Sequence, residues 1–162
     1  MILIDSTAKV SALADIEDSV RGTRIVIGAH SVVDSFVKIK PAGGAGDVTI
    51  GQHCYINSGT VIYTGNGLTL GNGVLVAANC TFAPANHAVA SAAIPISQQG
   101  FQPSRGGIVV EDDVWIGANC VILDGAVLRR GAVVGAGSVI RGEVPSYTIC
   151  AGNPLREIGR RS

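Results

Sequence analysis

Val110, Ile116, Ile122, Leu128, Val134 and Ile140 follow one another at intervals of six residues without a slip. The same spacing joins Ile27, Val33 and Ile39; Ile50, Ile56 and Ile62; Leu70, Val76 and Phe82; and Val10 and Ile16. Six is neither the helical period nor simple alternation. Short flat strands joined by tight corners produce it, with the apolar anchor and the residue four places later both turned inward. That second position is small or β-branched: Ala14, Val20, Ser31, Val37, Thr60, Val74, Ala126, Ala132, Ser138 and Val144. Glycine often follows the anchor, as at Gly28, Gly51, Gly71, Gly117 and Gly135, which suits corners that need positive φ. Three such units close a triangular coil, and coils stacked about 4.8 Å apart form a parallel β-helix. Roughly eighteen units make about six coils, a prism on the order of 30 Å long.

The phase assigns the cysteines. Cys54, Cys80 and Cys120 each stand four residues after an anchor, and Cys150 stands four after Ser146, which continues the 134, 140 series. All four are therefore expected in the small inward slot, as buried free thiols behaving like small hydrophobes. No CxxC motif and only three histidines are present, so no metal is expected.

Composition agrees with a prism core. Apolar residues make up 47% and aromatic ones 4%, so the interior must be built from aliphatic side chains. The net charge is zero, which argues against a nucleic-acid binder. That zero is uneven. Residues 1–124 carry six basic against ten acidic side chains, and residues 125–162 carry six arginines against Glu143 and Glu157. A basic C-terminal end suits an anionic ligand, or is ordinary surface charge. The opening MILIDSTAKV lacks the basic-then-apolar order of a signal peptide, and no run reaches the length of a membrane span. The expectation is a cytoplasmic, single-domain β-helix over residues 1–162, without membrane insertion.

The spacing slips where loops leave the prism. Eleven residues separate Ile39 from Ile50, eight separate Ile62 from Leu70, and twenty-eight separate Phe82 from Val110. The last is the expected excursion, about 84–107, followed much later by a short C-terminal tail, about 153–162. It holds APANHAVAS and PISQQGFQPSRGG, with His87 near its start. Long loops on a rigid scaffold are where function gathers. Taken alone, His87 is either a loop histidine bonded to nearby backbone or a base. Asn57 is either a substrate contact or a turn residue. Trp115 lies on an outward phase, beside a site or capping an edge. His30 and His53 fall at outward corners and read as surface residues.

Hexads such as VEDDVWIGANCVILDGAVL and AVVGAGSVI, together with the ending ICAGNPLREI, resemble those of the hexapeptide-repeat acyltransferases. These are left-handed parallel β-helices that usually form trimers and use coenzyme A thioesters. The likeness runs to the galactoside, maltose and related sugar O-acetyltransferases, most clearly over residues 50–158. It implies His87 in NHAV as catalytic base, with Asn57 in YINSG and Trp115 in VWIG at the acceptor. It implies Ala118, Ala136, Arg141, Gly142 and Arg156 as the acetyl-CoA positions. Two features depart from that group. An aspartate that helps hold the acceptor falls near Gly65, and the chain enters the repeat almost at once. The shortened form resembles transferases that decorate surface-polysaccharide or nucleotide-linked sugars.

The implied chemistry is acetyl transfer from acetyl-CoA to a sugar hydroxyl. Histidine, with an unperturbed pKa near 6.5, suits the proton removal. Inward cysteines leave no acyl carrier, so transfer is direct, with backbone N–H groups holding the oxyanion. Gln98, Gln99, Phe101, Gln102 and Arg105 are candidates for the acceptor wall. The alternatives are an N-acetyltransferase acting on an amino sugar, a γ-carbonic-anhydrase-like zinc enzyme, and a non-catalytic β-helix. A homotrimer is expected from the resemblance and from any outward apolar strip, which needs a partner.

Overall fold

The computed structural model describes all 162 residues. The chain winds into a left-handed parallel β-helix of about six coils whose three faces are three sheets. The first face holds β1 (Ile2–Ile4), β4 (Ile25–Ile27), β7 (Val48–Ile50), β10 (Leu68–Leu70), β13 (Ile108–Val110), β16 (Val127–Leu128) and β19 (Glu143–Val144). The second holds β2 (Lys9–Val10), β5 (Val32–Val33), β8 (Tyr55–Ile56), β11 (Leu75–Val76), β14 (Trp115–Ile116), β17 (Val133–Val134) and β20 (Thr148–Ala151). The third holds β3 (Asp15–Ile16), β6 (Lys38–Lys40), β9 (Val61–Tyr63), β12 (Thr81–Ala83), β15 (Val121–Leu123) and β18 (Val139–Ile140). The residues read as a tail turn back as β21 (Arg156–Arg160), antiparallel to β20.

The anchors stack in register, one above the other. Ile27, Ile50, Leu70, Val110 and Leu128 form the first column. Val33, Ile56, Val76, Ile116 and Val134 form the second. Ile39, Ile62, Phe82, Ile122 and Ile140 form the third. Phe82 is the largest fully buried side chain, and the columns join in one core. Each such side chain contributes roughly 1.5–3 kcal/mol by leaving water. The small slots are buried too, and hydroxyls there are satisfied by backbone. Ser31 Oγ donates to Gly51 O at 2.7 Å, and Ser138 Oγ donates to Gly135 O at 2.6 Å.

All four cysteines are buried and free. The thiols of Cys54, Cys80 and Cys120 donate to Gly71 O, Gly117 O and Gly135 O at 3.0, 3.2 and 3.2 Å. Two phase assignments need correction. Cys150 registers with Val134, so it fills an anchor slot rather than the small one. The last coil is short: Val144 sits sixteen residues after its partner Leu128, where the preceding turn takes eighteen. Thr148 takes a buried place near the final corner, and Ser146 is exposed. Val20, expected inward, is 99% exposed because residues 17–24 form an irregular corner where the hexad phase no longer applies.

The outer side of the second face carries an unbroken apolar column. Val32, Tyr55, Leu75, Trp115, Val133 and Ile149 occupy successive rungs. Tyr55, Leu75 and Trp115 are all exposed. No helix is long and apolar enough to cross a membrane.

Candidate active site

Every internal slip in the spacing falls on one edge of the prism, between the third and first faces. Residues 17–24, 41–47, 64–67 and 84–107 all join a third-face strand to a first-face strand. The signal was present in the sequence, because the slips follow every third anchor. At particular points along this edge the coils approach too closely for a side chain. Gly65 is buried at φ +41°, and a Cβ there would lie 2.8 Å from Pro84 O and 2.9 Å from Pro84 Cγ. Gly65, near which the resemblance places an acceptor-holding aspartate, therefore has no room for a side chain.

The excursion begins at the end of β12. Phe82 points into the core, Pro84 is buried, and His87 emerges three residues later, exposed. The outgoing and returning limbs pair as a short antiparallel ribbon. Gln102 N donates to Asn86 O at 2.8 Å and Ala88 N to Gly100 O at 3.0 Å, with His87 bridged to Phe101. The two rings stack with centroids 4.7 Å apart and planes at 27°. His87 is thus held by a ring and by backbone. Farther out, one helical turn at Ile96–Gln99 closes the tip. Gln99 Nε2 donates to Ser91 O and Ile94 O, and its Oε1 accepts Ser91 N. Gln99 therefore stitches the loop, which accounts for its side chain without an acceptor.

His87 separates two depressions. One, of about 370 Å³, is lined by Ala42, Tyr63, Ala83, Ala85 and Phe101. The other, of about 400 Å³, is polar and brings His87 together with Asn86, Gln102, Arg105, Asp124 and Arg141. Arg141 also lines a third depression of about 390 Å³ with Gly142, Asn153 and Arg156. Arg141 thus lines both the depression that holds His87 and the one that holds Gly142 and Arg156.

The remaining expected site residues lie elsewhere on the single chain. Asn57, Ala118 and Ala136 sit on the edge between the second and third faces. Asn57 Nδ2 donates to Val76 O at 2.8 Å, and Gly137 N donates to Ala118 O at 2.8 Å one coil above. Trp115 stands in the exposed column of the second face. One prism does not bring these to His87.

Two residues were missed. Phe101 was named only as a wall, but it is the ring against His87. Asp124 was not singled out. It is the one charged side chain in the buried interior, 2% exposed, and accepts three hydrogen bonds. Its signal was an acidic residue directly after a third-face strand, in VILDGAVL, where the two preceding coils carry Thr64 and Pro84.

His30 and His53 are stacked on one exposed edge, centroids 4.9 Å apart, and no cluster of metal-ligating groups exists.

Residues 107–142 match the family described as bacterial transferase hexapeptide (six repeats), and residues 47–81 match the hexapeptide repeat of succinyl-transferase. The chain is 30% identical over 122 residues to the putative lipopolysaccharide biosynthesis O-acetyl transferase WbbJ of Escherichia coli, covering 72% of this chain and 62% of that protein. It is 30% identical over 116 residues to the probable acetyltransferase Rv3034c of Mycobacterium tuberculosis, covering 72% and 38%. The chain therefore spans less than two thirds of either relative. Among solved structures, the N-acyltransferase AntD of Bacillus cereus, in complex with dTDP-4-amino-4,6-dideoxyglucose and coenzyme A, superposes with a TM-score of 0.82 at 24% identity, over 99% of this chain and 84% of that one. A Vibrio cholerae hexapeptide-repeat acetyltransferase complexed with acetyl coenzyme A gives 0.57 at 25% identity, over 99% and 72%. With repeat, relatives and architecture in agreement, the chain belongs to the bacterial hexapeptide-repeat transferases.

Proposed function

We propose that the protein is a coenzyme A-dependent O-acetyltransferase, moving an acetyl group from acetyl-CoA to a hydroxyl of a surface-polysaccharide or nucleotide-linked sugar. The observation that carries this is His87. It stands exposed at the largest break in the repeat, between a depression with aromatic walls and a polar groove containing two arginines. Tyr63 and Phe101 offer flat apolar surface to a sugar ring. Arg141 and Arg156 offer charge-assisted hydrogen bonds to the thioester's phosphates. The O-acetyl transferase relative supports the hydroxyl acceptor, and the acetyl-CoA complex of the Vibrio cholerae protein supports the donor.

In this reading a ring nitrogen of His87 takes the acceptor's hydroxyl proton as that oxygen attacks the thioester carbonyl. The tetrahedral oxyanion is held by backbone N–H groups. It collapses with loss of the thiolate, which receives the proton from His87. Asn57, Trp115, Ala118 and Ala136 enter the site from a second copy, with the apolar column of the second face as the contact in a homotrimer. The whole chain then acts as one cytoplasmic β-helix domain.

The test follows free thiol release from acetyl-CoA with a panel of sugars and nucleotide sugars. His87→Ala should lower turnover about 10²–10⁴-fold while the thioester still binds. An unchanged rate with the preferred acceptor overturns the mechanism. Transfer confined to amino sugars would turn the reading to N-acetylation, in keeping with the name N-acyltransferase given to AntD.

A further inference from the structure

The only charge in the interior serves no other charge. Asp124 makes no ion pair. Its Oδ2 accepts Arg105 N at 2.9 Å and Asn66 Nδ2 at 3.1 Å, and its Oδ1 accepts Gly107 N at 2.9 Å. Burying a carboxylate is costly unless its lone pairs are met, and bonds to an ionised acceptor are the strong ones. Here two of the three donors are backbone amides of the excursion's returning limb, and the third belongs to the coil before it.

Packing tightens the same place. A Cβ on Gly125 would fall 2.9 Å from Arg105 Cβ, and one on Gly107 would fall 2.5 Å from Gly67 O. The returning limb is therefore seated between two coils, with Asp124 as its fixed point. Four residues upstream of Arg105 lies Phe101, whose backbone bridges His87 and whose ring stacks on it. Asp124 itself lines the polar depression that His87 shares.

We infer that Asp124 is a positioning residue for His87, acting through the clasped amides of Arg105 and Gly107 and the ring of Phe101. It touches neither substrate. Its carboxylate fixes where the returning limb sits, and so fixes the surface on which the imidazole leans. The inference rests on His87 being the base of the proposed reaction.

The experiment uses Asp124→Asn, Phe101→Leu, His87→Ala and the Asp124→Asn/His87→Ala pair in the full chain. An amide at 124 keeps the shape but turns an N–H against at least one donor. The Arg105–Gly106 bond then becomes a trypsin site, cut about 10- to 100-fold faster than in the parent, as expected for loss of a charged hydrogen bond. Turnover falls about 10- to 100-fold, the cost of a displacement approaching 1 Å at the reacting groups, while the acetyl-CoA KM stays within a factor of two. In the His87→Ala background the same change adds no further loss. Phe101→Leu lowers turnover and leaves Arg105–Gly106 protected.

An Asp124→Asn enzyme with parental turnover beside an inactive His87→Ala enzyme overturns this inference alone. So do losses that multiply in the double variant, or an Asp124→Asn chain that loses its far-ultraviolet β signal. A His87→Ala enzyme at full rate overturns the proposed mechanism and this inference with it.

Discussion

Replacing Gly65 by Ala tests how the scaffold aims the excursion. The added Cβ meets Pro84 O, C and Cγ at 2.8, 2.9 and 2.9 Å, all inside normal contact. Gly22 is the control: it has φ +84°, on the same edge of the prism, with nothing within 4 Å of a Cβ. Both substitutions carry the cost of a left-handed backbone, roughly 1–2 kcal/mol. Only Gly65→Ala adds overpacking, about 1–3 kcal/mol. A difference near 2 kcal/mol separates their melting temperatures by about 4–8 °C in a chain of this size. To clear the new methyl, Pro84 must retreat by about half an ångström, and His87 follows three residues later. Since a misplacement of about 1 Å costs on the order of 10²-fold, turnover should fall about tenfold in Gly65→Ala and stay level in Gly22→Ala. Thermal melts by circular dichroism at one chain concentration, with initial rates of thiol release, measure both. Two variants that melt together and turn over alike would refute the argument that Pro84 is seated by the glycine beneath it.

The thiols make a second test. Burial pushes the Cys54 thiol up, and the neighbouring Cys120 thiol, followed by burial, does the same to Cys80. Less thiolate and no access both slow attack, so a chromogenic disulfide reagent at pH 8 should leave the native protein unreacted while the denatured chain yields four equivalents. Prompt reaction of all four native thiols would refute the inward phase. Arg129, paired with Glu111 and Glu143 at 3.0 Å each but 40% exposed, contributes little. Arg129→Ala should cost less than about 1 kcal/mol, by urea unfolding, and the loss should shrink further in high salt.

The prism was legible because its information is periodic and local. A buried column needs an apolar residue every sixth position, and Ile116, Ile122 and Leu128 supply it. The phase failed where the coil length changed. Cys150 and Ser146 were misassigned because the last turn runs short, and Val20 because residues 17–24 leave the hexad pattern. His87 was legible as the histidine at the largest break. What holds it was not. Phe101 lies fourteen residues away in a stretch without period, and Asp124 reaches donors at positions 66, 105 and 107. Backbone amides are the same at every residue, so sequence does not mark which of them a carboxylate will find. The split of the expected site also escaped the one-dimensional reading. Asn57 and His87 are thirty residues apart in sequence, about one and a half coils, which places them on different edges.

Confining every internal slip to a single edge separates two kinds of evolutionary freedom. An extra residue inside any strand would turn the anchors after it outward. An extra residue in the 84–107 excursion changes no rung, because its ends are fixed between Ala83 and Ile108. Closure entropy rises only with the logarithm of length, so doubling that segment would cost about 0.6 kcal/mol. The core can therefore stay constant while the part of the loop outside the Arg105–Gly107 clasp is lengthened, shortened or exchanged, and what that part contacts can drift without disturbing a rung.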